Sequence, residues 1–195
     1  MQTTAPTTLI DSVWNAQGQM RIVRNVALIL FGTALLWVSA KIKVDIGPVP
    51  FTMQTAVVLM IGAVYGWKLG GATLMAYLAE GAAGLPVFAG TPEKGIGLAY
   101  MSGATAGYLV GFVLAAIFVG FIAERGAAGK FFALLAAMVG GVIIIDGLGL
   151  VWMMNLFGIE KGWQYGVAPF IVVDLAKAAL AAAAVSLAGW AAFKR

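Results

Sequence analysis

An acidic and a basic side chain lie three positions apart in an apolar stretch near the end of this 195-residue chain. They are Asp174 and Lys177, in the segment Pro169-Phe-Ile-Val-Val-Asp-Leu-Ala-Lys. Residues three apart share one face of a helix, so the two side chains can pair. A charge near the bilayer centre costs at least about 2.5–3.5 kcal/mol on insertion scales, and ionisable residues there usually mark a ligand or ion path. We therefore interpret the pair as part of a binding site; an ion pair that only holds helices together is the alternative.

Three further polar side chains interrupt apolar segments. Asp146 follows three isoleucines, Asn155 lies further along the same segment, and Glu80 lies in Tyr-Leu-Ala-Glu-Gly near the end of an earlier segment. None of them has an obvious partner nearby in the sequence. Asp146 can be held as a neutral acid, or it can face a neighbouring subunit. For Asp146 and Glu80 alike, the sequence leaves open whether the residue belongs to a site or serves structure.

The composition is that of a membrane protein. Hydrophobic residues make up 62% of the chain and charged residues 10%, against about 45–50% and about 25% in soluble domains. The absence of Cys and His excludes the usual zinc sites, thiolate nucleophiles, disulfides and the Ser-His-Asp triad. No phosphate-binding loop of the Gly-x4-Gly-Lys-Ser/Thr type occurs. We therefore predict no enzyme activity, no metal site and no resident cofactor, so that any active work must draw its energy from another protein.

The polar groups lie within long apolar segments, and a segment of about 20 apolar residues is long enough to form a spanning helix. We therefore expect these groups to lie on membrane helices. Six spans are predicted, at roughly 24–41, 54–66, 69–83, 105–123, 131–154 and 164–192. The second and third are short and are separated by Trp67-Lys68 among several glycines, which favours a tight helical hairpin over one interrupted span. The sequence thus predicts an all-α membrane protein, a bundle of six transmembrane helices. It forms one domain over 21–195, after a polar N-terminal tail over 1–20 that is mobile or a short surface helix.

The cations indicate the orientation of the bundle. The net charge of +4 comes from lysines and arginines that flank apolar runs, which is a topology signal rather than a nucleic-acid surface. With the N-terminus in the cytoplasm, the inner side holds Arg21, Arg24, Lys68, Arg125, Lys130, Lys194 and Arg195. The outer side then holds Lys41, Lys43, Lys94 and Lys161. The excess of inner cations predicts that both termini are cytoplasmic.

Two outer segments are too irregular to be helices. Residues 42–53, the first cap, contain two prolines, and residues 84–104, the second cap, are rich in Gly and Pro. Apolar irregular backbone at membrane depth persists only where protein covers it or where it lines a cavity. We predict that both caps cover a cavity open to the outside; solvent-exposed linkers are the alternative. The aromatic residues expected around the cavity are Phe51, Phe88, Tyr100 and Tyr108, although an interfacial aromatic belt would need no ligand.

Three stretches in this order resemble a known family. They are Pro48-Val-Pro-Phe-Thr-Met-Gln54, Gly81-Ala-Ala-Gly-Leu-Pro-Val-Phe-Ala89 with Gly103-Ala-Thr-Ala-Gly-Tyr-Leu-Val-Gly111, and Pro169-Phe170 with Asp174-Leu-Ala-Lys177. Over about residues 25–190 the chain resembles the BioY family, the biotin-binding membrane subunits (S components) of energy-coupling factor transporters. The resemblance implies a multi-pass protein of the bacterial cytoplasmic membrane. It implies a biotin pocket near the outer face, with biotin as the transported ligand. It also implies partners, a transmembrane coupling subunit and two cytoplasmic ATPase subunits, besides membrane lipid.

By this resemblance, Asp174 and Lys177 match the polar ligand contacts of the family. An ionised Asp only accepts and a Lys only donates hydrogen bonds, so together they could satisfy the N–H groups and the carbonyl of the biotin ureido group. Whether Lys177 meets the ureido carbonyl or the valerate carboxylate stays open. The predicted ligand-binding residues are Asp174, Lys177, Phe51, Gln54, Glu80, Phe88, Tyr100, Tyr108, Asp146 and Asn155.

Three other functions are compatible with the sequence. One is an S component for another vitamin. The second is a membrane enzyme using Asp174, Asp146 and Glu80 as acid-base groups, although no nucleophile has a nearby base. The third is a bundle that only serves assembly and binds no small molecule.

Overall fold

The apolar runs fold as helices because a backbone in lipid must satisfy its hydrogen bonds within the segment. The structure, a computed structural model, describes residues 8–45 and 47–193. Within these residues, five helices are long and apolar enough to cross a membrane. They are α2 (Gly18–Lys41), α3 (Gln54–Ala82), α5 (Ala106–Ile122, continued by a π-helical turn over Ala123–Ala127), α6 (Phe131–Phe157) and α8 (Ile171–Phe193). Of three short helices, α1 (Leu9–Val13) precedes α2, α4 (Gly97–Met101) lies between α3 and α5, and α7 (Ile159–Gly166) lies between α6 and α8.

Helix α3 holds both of the short spans predicted at 54–66 and 69–83, and it reverses at Gly66. Gly66 has φ +79° and ψ 176°, a non-helical conformation that favours glycine. A Cβ at Gly70 would lie 3.3 Å from the Gly62 Cα, and the Gln54 amide donates to the Tyr77 hydroxyl at 2.8 Å. Residues on opposite sides of Gly66 are therefore in contact, so α3 is a helical hairpin. The described residues reach five helices of spanning length only when α3 is counted as one helix, so the difference from the six predicted spans lies in α3, whose two halves fold back on each other.

Small residues hold α3 against α5. A Cβ at Gly62 would lie 2.5 Å from the Ala116 carbonyl oxygen, and one at Gly120 would lie 2.5 Å from the Trp67 nitrogen. Helices in lipid associate through close packing of this kind, since lipid tails are as apolar as leucine. Large side chains of α3, α5 and α6 with almost no exposure include Leu59, Leu74, Val119, Leu134 and Met138.

The outside of the bundle is apolar, as a lipid-facing surface must be. On α8 alone, Val172 is 77% exposed, Leu180 71% and Leu187 68%. Both the spanning helices and the apolar surface therefore identify the chain as a multi-pass membrane protein.

The N-terminal segment is partly helical. Residues 1–7 of the predicted tail lie outside the described residues, and the rest contains α1 and the first turn of α2. Thr8 caps α1 by accepting from the Asp11 N–H at 3.1 Å. Asp11 also pairs with the buried guanidinium of Arg24 at 2.8 Å, and this contact fixes α1 against the bundle.

The two caps lie over one end of the bundle, where one lysine joins them to each other and another joins the second cap to α2. In the first cap, β1 (Lys43–Val44) and β2 (Phe51–Thr52) pair antiparallel, with Lys43 opposite Thr52. The Lys41 ammonium, at the end of α2, donates to the Thr91 carbonyl of the second cap at 2.9 Å. The Lys94 ammonium of the second cap donates to the Pro48 carbonyl of the first at 3.2 Å. The caps therefore form one connected cover.

Candidate ligand-binding cavity

A cavity lies beneath the caps, between the first turns of α3, α5 and α8 and the middle of α6. It encloses about 40 Å³, room for a few water molecules. Its walls are aromatic and aliphatic, and its few polar groups lie together on α3, α6 and α8. A concave apolar site with a small polar cluster is the usual form of a small-molecule site.

The Asp174–Lys177 pair forms the polar base of this cavity. The Lys177 ammonium lies 2.8 Å from the Asp174 carboxylate, and it also donates to the Thr52 carbonyl at 2.7 Å. The Asp174 side chain is 3% exposed and that of Lys177 9%. Asp174 lies in the first turn of α8, where the helix dipole favours a negative charge. The predicted pairing on one helix face is what the structure contains, and it ties α8 to the first cap.

Asp146 contributes a third ionisable group to the cavity wall. It lies within α6 and is 7% exposed. Within residues 8–45 and 47–193 its carboxylate has no hydrogen bond and no ion pair, and its oxygens are not sealed from the cavity. The neighbouring backbone is held tightly, because a Cβ at Gly111 of α5 would lie 2.8 Å from the Ile145 Cα.

Two aromatic stacks frame the cavity. Phe51 of β2 stacks on Phe170 with ring centroids 4.2 Å apart and planes at 13°. Phe88 stacks on Tyr100 within the second cap at 5.1 Å and 14°. The Tyr108 hydroxyl donates to the Gly166 carbonyl, which directs its ring along the wall. Flat rings at these positions suit a flat or bicyclic ligand.

Gln54 connects the polar base to the second cap. Its amide donates to the Tyr77 hydroxyl at 2.8 Å, and that hydroxyl donates to the Val87 carbonyl at 2.8 Å. All three groups are buried. Gln54 therefore lines the cavity while it also holds the second cap on α3.

The structure brings seven of the ten predicted site residues into the lining: Asp174, Lys177, Gln54, Phe88, Tyr100, Tyr108 and Asp146. Phe51 lies outside the lining, behind Phe170. Asn155 is exposed, and its amide donates to the Val151 carbonyl at 2.7 Å. Asn155 follows Asp146 by nine residues, which is two and a half helical turns. It therefore lies on the opposite face of α6.

Glu80 is half-buried near the end of α3, away from the lining. Two lining residues that the sequence-based prediction missed are Phe170 and Thr55. Phe170 lies four residues before Asp174, so helical spacing on the face of the pair could have found it. Among the described residues no group of carboxylates is placed to hold a metal ion.

Comparisons with known proteins identify the family of the chain. The BioY family model matches residues 7–195. The chain is similar to the probable biotin transporter BioY of Pyrococcus horikoshii, with 40% identity over 158 residues, covering 81% of this chain and 91% of that protein. It is also similar to the biotin transporter BioY of Thermotoga maritima, with 41% identity over 152 residues, covering 77% of this chain and 86% of that one.

A solved structure has the same fold. It is the 2.1 Å crystal structure of the S-component for biotin from an ECF-type ABC transporter, with a TM-score of 0.77 and 26% identity, covering 88% of this chain and 93% of that one. The resemblance predicted from three short motifs is confirmed by a match over nearly the whole chain. The chain belongs to the BioY family.

Proposed function

We propose that the chain is the biotin-binding S component of an energy-coupling factor transporter and takes up biotin. The observation that carries the proposal is the buried Asp174–Lys177 pair at the base of an aromatic cavity, in a chain of the BioY family. The named relatives are transporters, so an enzyme that uses the intramembrane carboxylates is not favoured.

The chemistry of biotin fits the cavity. Its ureido group offers N–H donors and a carbonyl acceptor, which complement an acid and an ammonium held side by side. Its fused rings and valeryl chain match the walls near Phe88, Tyr108 and Phe170. A ligand without the ureido group would leave buried polar groups unpaired, which is a strong basis for rejection. Biotin is the cargo, and the function needs no resident cofactor or metal.

Biotin is larger than the few water molecules for which the cavity has room, so we propose that the caps separate to admit it. The contact from Lys94 to the Pro48 carbonyl crosses between the caps and must open in that step. Loops that close over a ligand exclude water and strengthen the polar contacts inside. We therefore assign the caps the role of a cover that closes on biotin.

In the membrane, we propose a six-helix bundle in which the two halves of the α3 hairpin count as two helices. The excess of cations at the start of α2, at the end of α5 and in the α3 turn supports cytoplasmic termini. A bacterial cytoplasmic membrane is the location proposed. A transmembrane coupling subunit and two ATPase subunits are the partners proposed, since the chain itself has no phosphate-binding loop.

Thermal unfolding of the purified chain in detergent tests the function with a panel of vitamins. A ligand present at 100 times its Kd stabilises the folded state by about 2.7 kcal/mol. We expect biotin to raise the Tm and the other vitamins to leave it unchanged. A shift with a different vitamin alone would indicate an S component for that vitamin, and no shift with any would favour a bundle that only serves assembly.

A further inference from the structure

The cavity holds one ionisable group that the protein itself does not satisfy. Asp146 is only 7% exposed. Within residues 8–45 and 47–193 it has neither an ion-pair nor a hydrogen-bond partner. An unpaired polar group in a low-dielectric interior is costly, and an intramembrane acid is rarely kept without a use. By contrast, the Lys177 ammonium already has two acceptors, the Asp174 carboxylate and the Thr52 carbonyl. Among the ionisable groups of the lining, Asp146 and the rest of the Asp174 carboxylate are therefore the acceptors left for a ligand, beside neutral oxygens such as the Gln54 amide oxygen.

The two acids approach the cavity from different helices. Asp146 lies on α6 and Asp174 on α8, and both line the same space. The N–H groups of a cyclic urea diverge on either side of its carbonyl, so one carboxylate cannot accept from both. Acceptors on two walls match this divergence. The Lys177 ammonium, which only donates hydrogen bonds, suits the carbonyl.

We propose that Asp146 accepts a hydrogen bond from one ureido N–H while Asp174 accepts from the other. The inference rests on the proposed function and assigns a specificity-determining residue within it. It also gives the ligand an orientation, because the acceptors on Asp146 and Asp174 need N–H donors, which the ureido head has and the valerate end lacks. The ureido head therefore lies against the two acids, and the valerate chain extends away from them.

Calorimetric titration with biotin and its two ureido N-methyl isomers tests this assignment. Hydrogen bonds to charged groups contribute enough that losing one weakens binding by about 10- to 100-fold. We expect Asp146→Ala to lose that much affinity for biotin, and Asp146→Asn to lose less, because its amide oxygen still accepts. For one of the two N-methyl isomers the contact is already absent, so Asp146→Ala should cost nothing further. Glu160→Ala removes an exposed carboxylate from α7 outside the cavity and should match the wild type.

The possible outcomes distinguish a failure of the proposed function from a failure of the role assigned to Asp146. If the wild type does not bind biotin, the proposed function is wrong. If the wild type binds and Asp146→Ala binds within twofold of it, the role of Asp146 is wrong while the function stands. If Asp146→Ala weakens biotin and both methylated isomers by the same factor, Asp146 acts on the cavity without contacting the ureido group, which also overturns the assignment.

Discussion

Replacing Lys177 with methionine should separate the contribution of the buried pair to folding stability from its contribution to biotin affinity. The ammonium lies 2.8 Å from the Asp174 carboxylate, and both side chains are less than one-tenth exposed. Removing one partner leaves an uncompensated buried charge, which costs about 3–5 kcal/mol, or roughly 10²- to 10⁴-fold in the unfolding equilibrium. The contact to the Thr52 carbonyl is lost as well. We therefore expect Lys177→Met to lower the Tm strongly in detergent.

The double variant Asp174→Asn with Lys177→Met is the decisive comparison. It has no buried charge at either position, so its stability should return to within about 1–2 kcal/mol of the wild type, as uncharged replacements of buried pairs often do. Its affinity for biotin should stay at least about 100-fold weaker, because two charge-assisted contacts are gone. Thermal unfolding and calorimetric titration measure the two quantities on the same samples. Lys161→Met, on the exposed face of α7, is the matched control.

Two results would refute this reasoning. If the double variant binds biotin within threefold of the wild type, the pair only holds α8 to the first cap. If Lys177→Met is as stable as the wild type, Asp174 is not left as an uncompensated charge, and the energetic argument is wrong.

Three other predictions test the walls, the caps and the packing. Phe51→Ala removes the ring that stacks behind the cavity wall and should weaken biotin by about three- to tenfold in calorimetry; unchanged affinity would mean that the stack does not position the wall. Lys94→Ala removes the bridge between the caps and should speed biotin release in stopped-flow measurements, whereas Lys161→Ala should not; equal release rates would show that the bridge is not part of the cover. Gly107→Ala places a Cβ 2.3 Å from a backbone carbonyl of α6 and should cost about 1–3 kcal/mol of stability. Gly147→Ala, with open space around it, should cost nothing, and equal effects of the two would contradict the packing.

The part of the site that lies within one helix could be predicted from sequence. Helical spacing alone puts Asp174 and Lys177 on one face, and apolar surroundings alone make the pair unusual. The same spacing reaches back to Phe170. Local arguments of this kind need no knowledge of how helices pack, which is why they succeed here.

Contacts between distant segments could not be read in this way. The stack of Phe51 on Phe170 joins residues far apart in the chain, and nothing local to either one indicates it. Asn155 shares an apolar segment with Asp146, yet half a turn of helical phase places it on the opposite face. The sequence therefore indicates which segments can carry polar groups, while the rotation and packing of each helix decide which of those groups meet.

The hairpin in α3 likewise depends partly on local sequence and partly on contacts with distant residues. Glycines around Trp67 indicate a break, but the length of each half does not reveal whether the chain continues or reverses. The reversal depends on tertiary contacts, among them the Glu124 carboxylate, which accepts from the Trp67 N–H at 3.1 Å. That acceptor lies 57 residues away in the sequence.

A crystal structure of the chain with biotin bound tests the central claim most directly, namely that a vitamin head group is held at the acid–base pair beneath the caps. We expect the ureido group within hydrogen-bond distance of Asp174, Lys177 and Asp146, with the valerate chain directed away from these residues. Biotin bound at any other place, or bound here with its valerate carboxylate on Lys177, would contradict it.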